Sequence, residues 1–181
     1  MALIIITGPP CSGKTSLSML LSQRYAIPAF GKDMIKESLA DTLNGEDRPG
    51  SRALGIAAEE LLYVIADALL HSGGSVILEG TFKDPHARGP LADLIARHAA
   101  AAVQIQCITR PDLLPERYRN REGRHSVHSA ADGGPGFEED MRRGRYAPIE
   151  IPGAIVTLET SDYSAVDYSE VYAAIDCALA R

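Results

Sequence analysis

The chain has 181 residues, of which 45% are hydrophobic and 23% are charged, and its net charge is −6. These values predict a single globular domain over residues 1–181, and the acidic balance argues against duplex nucleic acid as a partner. No apolar run approaches the roughly 20 residues of a membrane span. Three scattered cysteines give no disulfide or zinc pattern. We expect no signal peptide and a cytoplasmic location, because no basic region precedes the first apolar run.

The first predicted strand is the apolar run "ALIII" (residues 2–6), which is typical of a strand buried on both faces. "KTSLSMLLSQRY" (14–25) has leucines at helical spacing, so it is predicted to be an amphipathic helix. Between them, "TGPPCSGKTS" (7–16) has the spacing Gly-x-x-x-x-Gly-Lys-Thr of a P-loop. A glycine-rich turn that binds nothing is the alternative interpretation of these ten residues.

The chemistry of a P-loop explains its residue types. Glycines let the backbone N–H groups point at phosphate oxygens, and the following helix adds its positive N-terminal end. Lys14 can reach the β- and γ-phosphates, and the hydroxyl of Thr15 can bind Mg²⁺, a cation that prefers oxygen ligands. The predicted nucleotide-binding residues are Gly8, Pro9, Pro10, Cys11, Ser12, Gly13, Lys14, Thr15 and Ser16.

Strands and helices alternate through the rest of the chain. The further predicted strands are 27–30, 75–80, 102–109 and 154–160, and the further predicted helices are 33–43, 51–73, a helix within 86–99, and 165–180. Alternation of this kind predicts an α/β fold with three layers, in which a five-stranded parallel sheet carries helices on both faces. The polar, glycine-rich stretch 122–136 indicates a mobile loop.

Ligands of such sheets bind beyond the carboxyl ends of the strands. Asp33 follows the second predicted strand, and Glu79 ends the third, with Thr81 as a weaker candidate beside it. Both carboxylates are therefore expected to face the space in front of the P-loop.

Several segments together resemble the small P-loop kinases. The segments are "GPPCSGKTS", "GKDMIKESL", "VILEGTF", "ERYRNREGRH" and "IVTLETSD". The most similar groups are the zeta-toxin-like and chloramphenicol-phosphotransferase-like kinases, with gluconate-kinase-like and polynucleotide-kinase-like kinases more distant. The resemblance covers most of the chain and implies the P-loop NTPase fold, with ATP and Mg²⁺ as cofactors.

The resemblance also implies roles for the two acids. An Asp at the position of Asp33 faces the acceptor hydroxyl in these kinases, where it orients the hydroxyl and accepts its proton. The alternative is that Asp33 only caps a helix that starts at Met34. Glu79 is expected to help hold Mg²⁺ with Thr15, or to bind substrate together with Thr81; the alternative is an exposed glutamate at a strand end.

Eight of the 14 arginines lie between Arg110 and Arg145. Arg117 and Arg121 are four residues apart, so they share a helix face. Kinases of this fold carry a lid, here approximately 110–145, whose arginines contact the transferring phosphoryl group. Arg117, Arg121 and Arg124 are the candidates, whereas Arg119 is expected to face solvent. The alternative is a solvated helix stabilised by ion pairs with Glu116 and Glu122.

The sequence leaves the roles of two further groups of residues undecided. The segment around Thr160 resembles the strand end that lies beside adenine in these kinases. His125 and His128 lie in the predicted loop, where they either contact substrate or have no role.

The resulting hypothesis is a kinase that transfers the γ-phosphate of ATP to a hydroxyl of a small molecule such as an antibiotic, a sugar or a nucleotide-sugar. A polynucleotide 5′-hydroxyl kinase is one alternative, although the acidic chain makes nucleic acid an unexpected partner. A nucleotide-dependent switch or ATPase that acts on a protein partner is another.

Overall fold

A computed structural model describes residues 1–43, 48–84, 86–121, 125–129 and 137–181. The strands are β1 (Ala2–Thr7), β2 (Ala29–Gly31), β3 (Val76–Glu79), β4 (Ala101–Ile108) and β5 (Ala154–Glu159). The helices are α1 (Lys14–Tyr25), α2 (Lys32–Leu43), α3 (Arg48–His71), α4 (Arg88–His98), α5 (Leu114–Arg119), α6 (Ser126–Ser129), α7 (Phe137–Arg142) and α8 (Ser169–Leu179). Among the described helices, none has the length and apolar character needed to cross a membrane.

The five strands lie in the order β2-β3-β1-β4-β5, and every neighbouring pair is parallel. β1 is central: Ile6 pairs with Glu79 of β3 on one side and with Ile105 of β4 on the other. Because parallel strands end at the same edge, the P-loop after β1, the start of α2 and the exit of β3 meet there. The predicted α/β fold with a five-stranded parallel sheet is confirmed.

Alternate residues of β1 face two different cores. Leu3 and Ile5 pack in the core formed with α3 and α4, whereas Ile4 and Ile6 pack in the core formed with α1 and α8. All four side chains are fully buried. A continuous apolar run is what a parallel strand covered on both faces requires, and the helices on each face make the predicted three layers.

Some element boundaries differ from those predicted. α2 starts at Lys32, so Asp33 lies inside its first turn and does not precede the helix as a cap. The closing helix starts at Ser169, and a short 3-10 turn, Tyr163–Ala165, precedes it. Asp162 explains this turn, because its carboxylate accepts a hydrogen bond from the backbone N–H of Ser164 and ends the continuity with β5.

Most of the loop predicted at 122–136, including Arg124, lies outside the described residues. The segment that follows is attached to the sheet through two buried glutamines of β4. The Nε2 of Gln106 donates to the carbonyl oxygen of Tyr146 at 2.7 Å, and the backbone N–H of Ile149 donates to Oε1 of Gln104 at 3.1 Å. These bonds fix where the chain returns to the sheet before β5.

Candidate active site

The P-loop connects β1 to α1, and its backbone requires glycine at two positions. Gly8 has a φ of 141° and Gly13 a φ of 81°. A Cβ at Gly8 would lie 2.3 Å from the carbonyl oxygen of Cys107, and a Cβ at Gly13 would lie 2.8 Å from Cε1 of Tyr163. Only residues without a side chain let the loop lie this close to β4 and to the segment after β5.

The start of α1 presents a lysine and free backbone donors at the P-loop. Gly13 is the N-cap of α1 and gives no side-chain cap, so the first-turn N–H groups are available to an anion. The Lys14 side chain is only 7% exposed, and its Nζ donates to the carbonyl oxygen of Pro9 at 2.7 Å. A phosphate oxygen that replaced this carbonyl would receive a charged donor already held in place.

Glu79 is buried at the end of β3, directly beside the P-loop. The hydroxyl of Thr15 donates to Oε2 of Glu79 at 3.3 Å. Burial raises the pKa of Glu79 above its ordinary value, and the nearby carboxylate of Asp33 raises it as well. Lys14, the Thr15 hydroxyl and Arg121 lower that pKa in opposition. A cation bound here would favour the ionised carboxylate, so the residues fit a Mg²⁺ site.

Gly31 makes the space that Glu79 occupies. A Cβ at Gly31 would lie 2.9 Å from Oε2 of Glu79. Gly31 pairs with Glu79 across the β2–β3 ladder. Because Gly31 has no side chain, the carboxylate of Glu79 on the neighbouring strand has room to lie toward the P-loop.

Asp33 is exposed in the first turn of α2. The helix start is attached to α3 by an ion pair between Lys32 and Glu59. Tyr63 supports this pair, because its hydroxyl donates to Oε1 of Glu59 at 3.0 Å. The position of Asp33 therefore depends on contacts between α2 and α3 as well as on its own helix.

Two cavities meet at the carboxylates. The large cavity has a volume of about 860 Å³ and extends over the P-loop, and the small cavity of about 390 Å³ lies between α1, β2 and α2. Both are lined by Thr15, Asp33, Glu79 and Arg121. These four residues mark the point where a molecule over the P-loop and a molecule beside it would touch.

Arg117 lies in α5 and holds this helix against the end of β5. Its Nη1 donates to the carbonyl oxygen of Thr160 at 2.9 Å, and its Nη2 donates to that of Ser161 at 2.6 Å. The guanidinium also stacks 4.0 Å from the ring centroid of Tyr163. Arg117 therefore lines the large cavity from a fixed position.

The other arginines of the segment differ in placement. α5 ends at Arg119, so Arg121 lies beyond the helix and the expectation that it shares a helix face with Arg117 is wrong. Arg121 lines both cavities, whereas Arg119 is exposed and is not among the residues that line either of them. Arg124 lies outside the described residues. The expectation that Arg119 faces solvent agrees with its exposure.

The side chain of Thr160 is turned away from the cavities. It is 3% exposed, and its hydroxyl donates to the carbonyl oxygen of Ser12 at 2.9 Å and lies 2.7 Å from the hydroxyl of Thr109. Thr160 therefore attaches the P-loop to the ends of β4 and β5, and it is not among the residues that line either cavity.

Tyr163 is a site residue that the sequence reasoning missed. Its hydroxyl donates to the carbonyl oxygen of Cys11 at 3.0 Å, and its ring lies against Gly13 and under Arg117. Cys11 has a φ of 63°, which is unusual for a residue with a side chain. The aromatic residue just after the last strand was the available signal, because that strand end faces the P-loop.

The two loop histidines attach α6 to α2. His125 lies 2.9 Å from Oδ1 of Asp41, and His128 lies 2.9 Å from Oε1 of Glu37. Between them, Val127 is fully buried, and its carbonyl oxygen accepts a hydrogen bond of 2.8 Å from Ser51. The histidines thus join this part of the predicted lid to α2, the helix that carries Asp33.

Further residues of the large cavity come from segments far apart in the sequence. We call the following lining residues the facing wall: Asp33, Lys36, Thr81, Lys83, His128, Asp140, Arg145 and Tyr146. Only Asp33, Thr81 and His128 of this wall were candidates in the sequence, because the others carry no motif. Among the described residues, no cluster of three His, Cys, Asp or Glu side chains could hold a metal ion.

Comparison with known proteins adds to this geometry. The model of an AAA domain family matches residues 3–134. A "putative kinase" from Chloroflexus aurantiacus has a structure that is similar over 98% of this chain and 97% of its own, with 32% identity and a TM-score of 0.86.

More distant structures share the fold. A sugar kinase from Janibacter is 17% identical with a TM-score of 0.62, and the comparison covers 99% of this chain and 97% of that protein. A gluconokinase from Sinorhizobium meliloti is 17% identical with a TM-score of 0.52, and the comparison covers 99% of this chain and 92% of that protein.

Comparison by sequence adds a further relative. An uncharacterized protein from Mycobacterium bovis is 31% identical over 71% of this chain. The chain spans only 27% of that protein's length.

Proposed function

The chain belongs to this AAA domain family and to the P-loop small-molecule kinases, and from this premise we propose that it transfers the γ-phosphoryl group of ATP to a hydroxyl of a small molecule. One observation carries the proposal: the carboxylates Asp33 and Glu79 lie beside Thr15 at the point shared by the two cavities. A simple nucleotide binder has no need of an exposed carboxylate that faces the phosphate site from another helix.

The P-loop would bind the triphosphate through its backbone N–H groups and the start of α1. Lys14 would exchange its bond to the carbonyl of Pro9 for the β- and γ-phosphates. Mg²⁺ would be held by the hydroxyl of Thr15 and, directly or through water, by Glu79. When bound, the cation would neutralise charge that develops on the phosphate oxygens.

Asp33 acts as the base in this proposal. The acceptor oxygen forms a bond to the γ-phosphorus, the bond from that phosphorus to the bridging oxygen breaks, and ADP leaves. The hydroxyl proton goes to the carboxylate of Asp33, which also orients the hydroxyl before reaction. Asp33 suits this role because it is exposed and lines both cavities.

The arginines of α5 and the segment after it provide positive charge opposite the P-loop. We assign Arg121 to the transferring phosphoryl group, because it lines both cavities beside Glu79. Arg117, fixed on Thr160 and Ser161, would contact the nucleotide, and Arg124 remains a third candidate. Residues 110–145 form the lid in this proposal, within one kinase domain over residues 1–181.

The first test is an acceptor screen. ATP consumption would be measured with antibiotics, sugars, nucleosides, nucleotide-sugars and 5′-hydroxyl oligonucleotides. We expect one class of small hydroxyl compound to stimulate consumption and to yield a phosphorylated product. Stimulation by oligonucleotides alone would identify a polynucleotide kinase, and no stimulation by any acceptor would contradict a phosphotransferase.

The second test is Asp33→Asn, measured with the acceptor from the screen. The amide cannot accept the proton, so kcat should fall by about 10²-fold or more while nucleotide affinity remains unchanged. The matched control is Asp93→Asn, because Asp93 is exposed on α4 and is not among the residues that line the cavities. Turnover at the parent rate in Asp33→Asn would show that Asp33 is not the base.

A further inference from the structure

The two histidines of α6 bond to α2 at places that differ in what they border. His128 lines the large cavity and its partner Glu37 lines the small one, so their contact of 2.9 Å joins a residue of one cavity to a residue of the other. His125 and its partner Asp41 are not among the lining residues of either cavity. The two pairs therefore join the same two helices, but only one of them lies at the proposed reaction centre.

The two pairs also differ in how far solvent weakens them. The side chain of Asp41 is 72% exposed, whereas that of Glu37 is 32% exposed, and His128 is more buried than His125. A contact between ionisable groups contributes little when it lies in water and more when it is shielded. The bond between His128 and Glu37 is therefore the stronger of the two attachments.

α6 presents His128 from a fixed place. Val127, the residue before it, packs with Ala40 of α2 and Leu54 of α3 in a small apolar cluster. This cluster is separate from the two cores that cover the faces of the sheet. α6 is therefore docked on α2 and α3 themselves.

Glu37 is connected to Asp33 through the geometry of α2. The two residues are four positions apart, so they lie on the same face of the helix. Asp33 lies in the first turn, where the backbone N–H groups have no partner within the helix. The ion pair of Lys32 with Glu59 holds the residue before Asp33, and the bond from His128 holds the next turn on the cavity side. The carboxylate of Asp33 thus lies between two tertiary contacts.

We propose, on the basis of the proposed function, that His128 is a positioning residue for the base. Its bond to Glu37 fixes the face of α2 that carries Asp33, and so sets where the acceptor hydroxyl lies relative to the γ-phosphate. His125 holds only the far end of the same helix and has no part in this placement. The segment that contains the lid arginines therefore also orders the acceptor side of the site.

The kinetic test uses the acceptor found in the screen. We expect His128→Ala and Glu37→Ala each to lower kcat by about tenfold, because a small displacement of the base from the hydroxyl is costly, and to leave nucleotide affinity unchanged. The double variant should be no slower than either single variant, which separates their mutual contact from any other contact that either residue makes. His125→Ala is the matched control and should keep the kcat of the parent.

Glu37→Gln distinguishes positioning from a direct contact with substrate. The amide oxygen can still accept the bond from His128, so this variant should keep most of the kcat that Glu37→Ala loses. Equal losses in Glu37→Gln and Glu37→Ala would overturn the inference. Additive losses in the double variant, or the same loss in His125→Ala, would overturn it as well.

Hydrogen exchange decides the inference even if no acceptor is phosphorylated, a result that would contradict the proposed function alone. The backbone N–H groups of residues 36–38 bond to the carbonyls of residues 32–34, so their exchange reports the turn that carries Asp33. Exchange there should be roughly 2- to 10-fold faster in His128→Ala, and in Glu37→Ala as a second variant, than in the parent. It should be unchanged in His125→Ala. Parent-like exchange in His128→Ala, or equal acceleration in His125→Ala, would overturn the inference.

Discussion

The P-loop and the facing wall border the same cavity but are built in different ways. The P-loop is one continuous segment, residues 7–16, and the Lys14 ammonium bonds to Pro9, five positions away. The facing wall is instead assembled from separate segments, and its His128 is held by Glu37 from 91 positions away. The P-loop can therefore be predicted from one short stretch of sequence, whereas the residues of the facing wall come together only after the chain has folded.

The largest effect should come from Lys14→Ala. Removal of this charged donor from the P-loop should lower kcat/KM by roughly 10³-fold, because both nucleotide binding and charge stabilisation in the transition state are affected. Steady-state kinetics and a nucleotide titration measure the two parts. The thermal unfolding midpoint should stay close to that of the parent, and unchanged nucleotide affinity would contradict the assignment of the P-loop.

An intermediate effect should come from Arg121→Gln, which separates the two sides of the cavity. If Arg121 faces the transferring phosphoryl group, kcat should fall by about 10²-fold while nucleotide affinity changes little. Arg119→Gln, two residues before Arg121 but outside the cavities, should behave like the parent. Equal kinetic losses in the two variants would show that the charge of the segment matters and not the position of Arg121.

The smallest effect should come from Tyr163→Phe, which alters the P-loop side alone. The change removes the hydrogen bond to the carbonyl oxygen of Cys11 and keeps the ring under Arg117. A single neutral hydrogen bond contributes about 0.5–1.5 kcal/mol, so the KM for nucleotide should rise roughly 2- to 10-fold with kcat unchanged. A loss confined to kcat would mean that Tyr163 acts in the phosphoryl-transfer step. The P-loop and the facing wall would then no longer differ in the step that they affect.

The difference between the two sides explains what the sequence could predict. The P-loop, the parallel sheet and the strand-end positions of Asp33 and Glu79 follow from local patterns and from the rule that parallel strands end at one edge. Lys83 and Arg145 could not be placed, because a single cation in a polar segment has no periodicity and no motif. Nor could the pairs of His125 and His128 with α2, since each depends on how two distant segments pack.

Two helix boundaries were also predicted inexactly, because they depend on contacts that the local sequence pattern does not show. The start of α2 was placed one or two residues late, because the ion pair between Lys32 and Glu59 that anchors it is a tertiary contact. The closing helix predicted at 165–180 starts only at Ser169, because the hydrogen bond from the backbone N–H of Ser164 to Asp162 forms a separate turn before it.

The central place of β1 has a consequence for how the chain reaches its native state during synthesis. Leu3 pairs with Val76 and Ala2 with Ala101, so this strand leaves the ribosome long before either partner exists. Its apolar, β-branched residues are the kind of segment that associates with other exposed strands when left unpaired. The central strand is thus made before the other four strands of its sheet, and it stays without a partner until residue 76 has been synthesised and without its second partner until residue 101.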